Sequence, residues 1–360
     1  MRPERPTTFD PGVGARRMVI DVADPDRSVL IEAGRIIRAG GLVAFPTETV
    51  YGLGAHALDP EATERIFAAK GRPSTDPLIV HIAAAAQARD LSSRWPDVAD
   101  RLIEQFWPGP LTLVVAKSPV VPDSITANRS TVALRIPAHR VALGLLESAG
   151  VPVAAPSANR FGRISPTSAD DVESELQGRY DLLLDAGATT LGVESTVLDL
   201  TGETPVLLRP GGVSADLIRS IVGDLKVLKR QTTSEADDAL APGQFLRHYS
   251  PLTPLVAVDG EAPIATDLVD ALTRRGINAG YLELSQDPGT AAHDLYRVLR
   301  SGDGTAQVLL VRMVPSHGLG VAVNDRLYRA SQGRVVADAS DSTADMIESL
   351  VGGQGTSSTQ

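Results

Sequence analysis

The chain has 360 residues, of which 34 are Lys or Arg, 44 are Asp or Glu and none is Cys, for a formal net charge of -10 at pH 7. That length exceeds one ordinary domain of ~100–200 residues and predicts two, and 43% hydrophobic content predicts a sizeable core rather than disorder. Without Cys there is no disulfide, iron–sulfur or thiolate-zinc site and no cysteine nucleophile, and the net charge argues against broad nucleic-acid binding.

Residues 1–17 read as a loose arm with charges and prolines but no apolar signal region, and no apolar run approaches the ~18 residues of a membrane span. A cytoplasmic location is expected. Regular structure is predicted from near Val19. A helix follows over Ser28–Ala39, where Val29, Leu30, Ala33, Ile36 and Ile37 recur at helical spacing before Gly40 and Gly41. After the strand-like Leu42–Phe45 comes a polar turn. Asp59-Pro60 reads as an N-cap with Pro at the first helical position, opening a helix to about Lys70. Strands are predicted at Leu78–Ile82, Leu111–Lys117, Thr131–Ile136, Val151–Ala155, Leu182–Asp185, Ser195–Asp199 and Val206–Arg209, with helices at Val98–Phe106 and after Ser168. Residues 18–225 thus form a mixed α+β domain rich in short strands.

From 226 to 253 the periodicity is lost and turn residues and charges accumulate, which marks an interdomain linker. Strand-like Pro254–Asp259, Ala279–Leu284 and Val308–Val314 then alternate with helical Ile264–Arg275, Ala291–Arg300 and Val321–Ala330. That alternation predicts βαβ units with a parallel sheet over 254–345, and 346–360 reads as a tail.

Generic signatures fail. There is no G-x-x-x-x-G-K-[ST], no H-E-x-x-H and no G-x-S-x-G. Gly52-Leu-Gly54-Ala-His-Ala57 loosely matches a dinucleotide fingerprint, but a polar stretch precedes it and no helix opens at its glycines. They read instead as residues of tight turns.

What carries chemistry is a set of hydroxyls and cations in strand-end loops. Phe45–Gly52 places Thr47, Glu48, Thr49 and Tyr51 in one short turn. Lys70 and Arg72 leave the end of a helix together. Macrodipole complementation would explain Lys70, whereas Pro73 stiffens the chain beside Arg72. His81, on a strand, is ordinarily a structural residue. Arg135 ends an apolar strand and requires a partner, because an unpaired buried guanidinium is prohibitive; that partner is a protein carboxylate or a ligand carboxylate. Ala155, Ser157, Asn159, Ser165, Ser195 and Arg209 add neutral donors and one more cation. Such a set suits an anionic small molecule, with catalysis by positioning and charge stabilisation.

Taken in order, GGLVAFPTETVYGLGA, KGRPSTDPLIVHI, FWPGPLTLVV, TVALRIPAH, APSANRFGRISPT, GVESTVLDL and LLRPGG resemble the YrdC-like family, in its longer two-domain threonylcarbamoyl-AMP synthase form. The resemblance is dense over Ser28–Gly212, continues through Ala241-Pro-Gly243 and His248-Tyr249-Ser-Pro251, and is sparse beyond, at His317-Gly-Leu-Gly320 and Asn324-Asp-Arg326. It implies an α/β architecture: a YrdC-like domain with a twisted sheet, and a smaller Rossmann-like parallel domain. The implied substrates are L-threonine, bicarbonate and ATP with Mg²⁺. The implied product, threonylcarbamoyl-AMP, would be used by a separate tRNA threonylcarbamoyl transferase.

By the same resemblance Thr49, His81, Arg135, Ala155 and Ser195 would surround threonine. Arg72, Asp76, Thr131, Ser157, Asn159, Ser165, Arg209 and Tyr249 would contact ATP, and Lys70, Arg72 and Arg209 would offset developing charge. No side chain is assigned to metal. Asp76 stands where the family pattern has Asn, and a carboxylate there would repel a triphosphate. A different class of reading, an RNA-binding YrdC-like module without catalysis, is opposed by the net charge and by 4% aromatic residues. A further enzyme reading, a carbamoyl-phosphate-using relative, lacks the zinc-finger cysteines of that class.

Overall fold

The computed structural model describes residues 14–228, 246 and 248–352, which fall into two units. Met1–Phe161 with Ser165–Gln244 form the first, and Gly162–Ile164 with Phe245–Gln360 the second. In the first unit the order is β1 (Arg16–Val19), α1 (Arg27–Arg38), β2 (Val43–Phe45), β3 (Gly52–His56), α2 (Pro60–Lys70), β4 (Ile79–His81), α3 (Ala85–Asp90), β5 (Ser92–Arg94), α4 (Asp97–Phe106) and β6 (Leu111–Lys117). It continues through α5 (Asp123–Thr126), β7 (Thr131–Arg135), α6 (Arg140–Ala149), β8 (Val153–Ala154), α7 (Ala169–Leu176), β9 (Leu182–Asp185), β10 (Thr196–Asp199), β11 (Val206–Arg209), α8 (Ala215–Val222) and β12 (Lys226–Val227).

These strands form a mixed sheet in the order β1-β9-β2-β3-β8-β4-β7-β6-β10-β11-β12, with β5 beside β6. Strand alternation decides which residues are available for chemistry. Val80, Val132, Leu134 and Val115 point to one face, where they pack on Ala62, Ile66 and Ala69 of α2. Neighbouring Leu111, Leu113 and Leu198 pack on Ala99 and Leu102 of α4 and Ile218 of α8. On the opposite face α1 and α6 cover Val43, Phe45, Val153, Leu182 and Leu184 only. The rest of that face, over β4, β7, β6 and β10, carries a small apolar cluster of Ile79, Val114, Ala133, Val197 and Leu208.

Two sequence expectations change here. Arg16 and Arg17, read as part of the arm, pair in β1 with Leu182 and Leu183. Gly52 and Gly54 lie in strand β3 rather than in turns, and neither has a positive φ. A Cβ on Gly54 would stand 2.8 Å from the ring of Phe45 and 2.9 Å from Val153, so close packing explains the glycine there.

The second unit holds β13 (Leu255–Val258), α9 (Ala262–Arg274), β14 (Ala279–Leu282), α10 (Pro288–Gly302), β15 (Val308–Arg312), α11 (Gly320–Ala330), β16 (Val335–Val336) and α12 (Asp341–Gly352). Its four strands are all parallel, in the order β14-β15-β13-β16. Helix α12 runs past the expected start of the tail. Residues 229–245 and 247 of the expected linker lie outside the described residues. Gly162–Ile164 is tied into this unit by Ser250 N–H donating to the Gly162 carbonyl (2.9 Å), an Arg163–Asp303 ion pair (3.2 Å) and Arg300 donating to the Ile164 carbonyl (3.2 Å). Among the described residues no helix is long and apolar enough to cross a membrane.

Candidate active site

The half of the face whose apolar cluster includes no helix residue among the described residues has a polar end built on one register. β4 runs parallel to β7 with His81 opposite Arg135, and β7 runs antiparallel to β6 with Leu134 opposite Leu113. Arg135, His81 and Thr112 therefore lie at neighbouring positions at one end of the face. The Arg135 guanidinium is buried. Its Nε donates to the Gly109 carbonyl (3.1 Å), Nη1 and Nη2 donate to Thr49 Oγ1 (3.2 and 3.1 Å), and Nη2 lies 2.7 Å from Glu48 Oε1. The protein carboxylate that the sequence left open as a partner is thus Glu48. Thr47 Oγ1 fixes this β2–β3 turn by donating to the Val50 carbonyl (2.6 Å) and meeting Thr49 Oγ1 at 2.7 Å.

His81 packs edge-on against Phe45, with ring centroids 6.2 Å apart. Burial and then the Arg135 charge push its pKa down to about 3. The imidazole is therefore neutral throughout the physiological range. Ala155 follows β8, which pairs Val153 with His81, and its N–H donates to the Ile79 carbonyl at 3.0 Å.

The same end continues through β6, β10 and β11. Thr112 Oγ1 and Ser195 Oγ are 2.8 Å apart, and Arg209 Nη2 donates to the Ser195 carbonyl (2.9 Å) and hydroxyl (3.1 Å). Gly211 lets the turn after Arg209 press onto this segment. A Cβ there would lie 2.4 Å from the Glu194 and Ser195 backbone. Ser165 donates to Glu194 Oε1 at 2.6 Å.

A second group of cations comes from the end of α2. Asp59 caps the start of that helix, accepting from the Glu61 and Ala62 amides (3.1 and 3.4 Å). At the other end Lys70 turns inward instead of into solvent. Its ammonium donates to the carbonyls of Ser157 (2.5 Å) and Asn159. Arg72 is also buried: Nε donates to the Asp76 carbonyl (3.2 Å), and Nη2 donates to the Pro77 carbonyl (2.8 Å) and lies 2.9 Å from Asp76 Oδ2. Burial, then Arg72, hold the Lys70 pKa well below its ordinary value. Asp76, wholly buried, is pushed up to about 6 by burial despite the opposing charges of Arg72, Lys70 and Arg209. Arg209 thus joins Lys70 and Arg72 as a cation whose charge acts on Asp76.

Two more residues of the expected nucleotide set are Thr131 and Tyr249. Thr131 shares the face with Arg135 but sits four residues up β7, about 13 Å away by strand rise. There it lines an open hollow of about 430 Å³ with Ser93, Lys117, Ser118, Ser130 and Thr201. Tyr249 belongs to the second unit, where its ring is buried, stacks on Tyr296 (5.7 Å) and lies under the Arg326 guanidinium (5.3 Å). We expect Tyr249→Ala to cost about 3–5 kcal/mol of that unit's stability, as aromatic truncation in a packed core does. A denaturation curve with an unshifted second-unit transition would refute this packing role.

Acids complete the site. Glu48, Asp76 and Glu194 stand among the cations and hydroxyls, and Thr112 supports Ser195. No local signal gives the Glu48–Arg135 pairing, which joins the β2–β3 turn to the end of β7.

Comparison with known proteins bears on this arrangement. Residues 35–211 match the Sua5/YciO/YrdC family model, described as "Telomere recombination", and residues 213–332 match the model of the threonylcarbamoyl-AMP synthase C-terminal domain. The threonylcarbamoyl-AMP synthase of Pyrococcus abyssi is 44% identical over 324 residues, covering 86% of this chain and 95% of the relative. That of Bacillus subtilis is 38% identical over 346 residues, covering 89% and 99%. A crystal structure of P. abyssi Sua5 complexed with L-threonine superposes with a TM-score of 0.84 at 42% identity, covering 89% of this chain and 99% of that one. The chain belongs to the two-domain threonylcarbamoyl-AMP synthase family.

Proposed function

We propose that this chain is an L-threonylcarbamoyladenylate synthase, a nucleotidyl-transferring enzyme that makes threonylcarbamoyl-AMP and pyrophosphate from L-threonine, bicarbonate and ATP. It acts in the cytoplasm and supplies a tRNA threonylcarbamoyl transferase. The observation that carries the reading is the placing of Arg135, His81, Thr49 and Ser195 at one end of one sheet face, joined through Ser195 to Arg209, whose charge acts on Asp76 together with those of Lys70 and Arg72. An amino-acid carboxylate matches the Arg135 guanidinium, and a phosphate chain matches the three cations. The apolar floor of Ile79, Ala133 and Val114 between Arg135 and Thr131 gives a nucleobase a surface to lie on.

The reaction asks little covalent chemistry of the protein. The threonine amine and bicarbonate form a carbamate with loss of water. A carbamate oxygen then bonds to the α-phosphorus as its bond to the bridging oxygen of pyrophosphate breaks. Arg135 and Thr49 orient the amino acid, neutral His81 serves as a hydrogen-bonding wall rather than a proton carrier, and Lys70, Arg72 and Arg209 offset phosphate charge. Among the described residues no group of three His, Asp or Glu side chains is placed to hold a metal ion. Mg²⁺ enters this reading with the substrate, as the magnesium–nucleotide complex.

The test is mass-spectrometric detection of threonylcarbamoyl-adenylate from purified protein, omitting threonine, bicarbonate or ATP in turn. Product that requires all three is expected. Absence of product from the complete mixture would overturn the assignment.

A further inference from the structure

Asp76 is a buried acid that phosphate binding as described above does not use. It lies in the loop between α2 and β4, where its N–H donates to the Pro73 carbonyl at 3.2 Å. Its side chain has no exposure. Oδ2 stands 2.9 Å from Arg72 Nη2, yet among the described residues neither carboxylate oxygen receives a well-directed hydrogen bond. A buried carboxylate stripped of water and of directed donors keeps its charge only through neighbouring cations.

The charged groups facing it come from every side of the cluster. Arg72 is on its own loop, Lys70 at the end of α2 and Arg209 at the end of β11. Glu175 of α7 acts on Lys70 in turn. These three cations are the ones to which the proposed function assigns the triphosphate. A nucleotide that engages them brings several negative charges beside Asp76 and removes its compensation. Taking a proton from solvent onto one carboxylate oxygen is the least costly response.

We propose that Asp76 is an exchangeable counter-ion. Ionised, it holds Arg72 in place while the site is empty, and it takes up a proton when the nucleotide phosphates claim the cations. Asp76 is thus a positioning residue acting through Arg72, not a direct nucleotide contact. This rests on the nucleotide reading given above. The sign follows from linkage. Burial already pushes the carboxyl up to about 6, and added negative charge raises it further. Uptake is therefore largest between those two values and fades below about pH 5, where the proton is already bound.

The test is calorimetric titration of the full-length protein with magnesium–ATP, without threonine or bicarbonate, in buffers of different ionisation enthalpy. About 0.5–1 proton taken up per nucleotide is expected at pH 7, declining as the pH falls to 5. Asp76→Asn, which keeps the shape without the charge, is expected to bind ATP with that uptake lost; the nucleotide's own proton exchange is common to both proteins. Uptake that persists in Asp76→Asn places the proton elsewhere, Lys70 being the alternative, and overturns the proposal. If the variant does not fold, difference infrared spectroscopy of the wild type decides: a protonated-carboxyl band that appears on ATP binding supports the proposal, and proton uptake without that band overturns it. ATP binding with no proton exchange overturns the counter-ion role and leaves the proposed function standing, whereas absence of ATP binding overturns both.

Discussion

Arg135→Ala is expected to lower threonine-dependent pyrophosphate release by about 10²–10³-fold, because it removes the buried, preorganised guanidinium to which the proposed function assigns the amino-acid carboxylate. Arg135→Lys is not expected to rescue it. The planar fork reaches the Gly109 carbonyl, Thr49 Oγ1 and Glu48 at once, and an ammonium has no such geometry. The alanine variant has a second cost. Glu48, only 8% exposed, is left as an unpaired buried carboxylate, which destabilises a fold by about 3–5 kcal/mol. The two effects separate in a double variant. Adding Glu48→Gln to Arg135→Ala should recover much of the lost stability and none of the lost activity. Steady-state pyrophosphate release and chemical denaturation measure the two quantities. Near-wild-type turnover in the single variant, or recovery of turnover in the double one, would remove Arg135 from substrate recognition.

How far this site was readable depends on the range of the interactions that build it. The face occupied by His81 and Arg135 follows from period-two alternation in two short strands, and the structure pairs those residues directly. Helix α2 was readable from its Asp59-Pro60 start because a cap is local chemistry. Strand β3 was not, since two of its five residues are glycines, and Gly54 serves close approach to Phe45 and Val153 rather than strand propensity. Helix α6 starts without any side-chain cap, so its beginning carries no local signal, whereas Ser214 does cap α8 and would have marked it. The acids that complete the site were hidden for a different reason. Glu48, in a turn, pairs with the last residue of strand β7, and Glu194 with a serine 29 residues earlier. Such pairings arise from topology, and no window of sequence contains them.

Lys70→Met should have the other large effect, a fall in kcat of about 10²–10³-fold, the scale of losing one preorganised charge-stabilising contact. Methionine keeps the stem that α2 buries while deleting the ammonium. The ammonium has two functions: it closes the 155–159 turn through the Ser157 and Asn159 carbonyls, and it contributes charge to the cluster shared with Arg72, Asp76 and Arg209. Loss of turn closure alone would appear as reduced stability and a raised KM for ATP. Loss of charge in the transition state lowers kcat at saturating substrate. The pH profile distinguishes these further. Burial and the Arg72 charge depress the Lys70 pKa, so the ammonium surrenders its proton at a lower pH than a solvated lysine does. A bound polyphosphate opposes that loss by favouring the charged form. Activity in the wild type should therefore fall on the alkaline side well before pH 10.5, more steeply in kcat/KM for ATP than in kcat, and this limb should be missing from Lys70→Met. An identical alkaline limb in the variant would show that another group titrates there and that Lys70 is a strut rather than a charge donor.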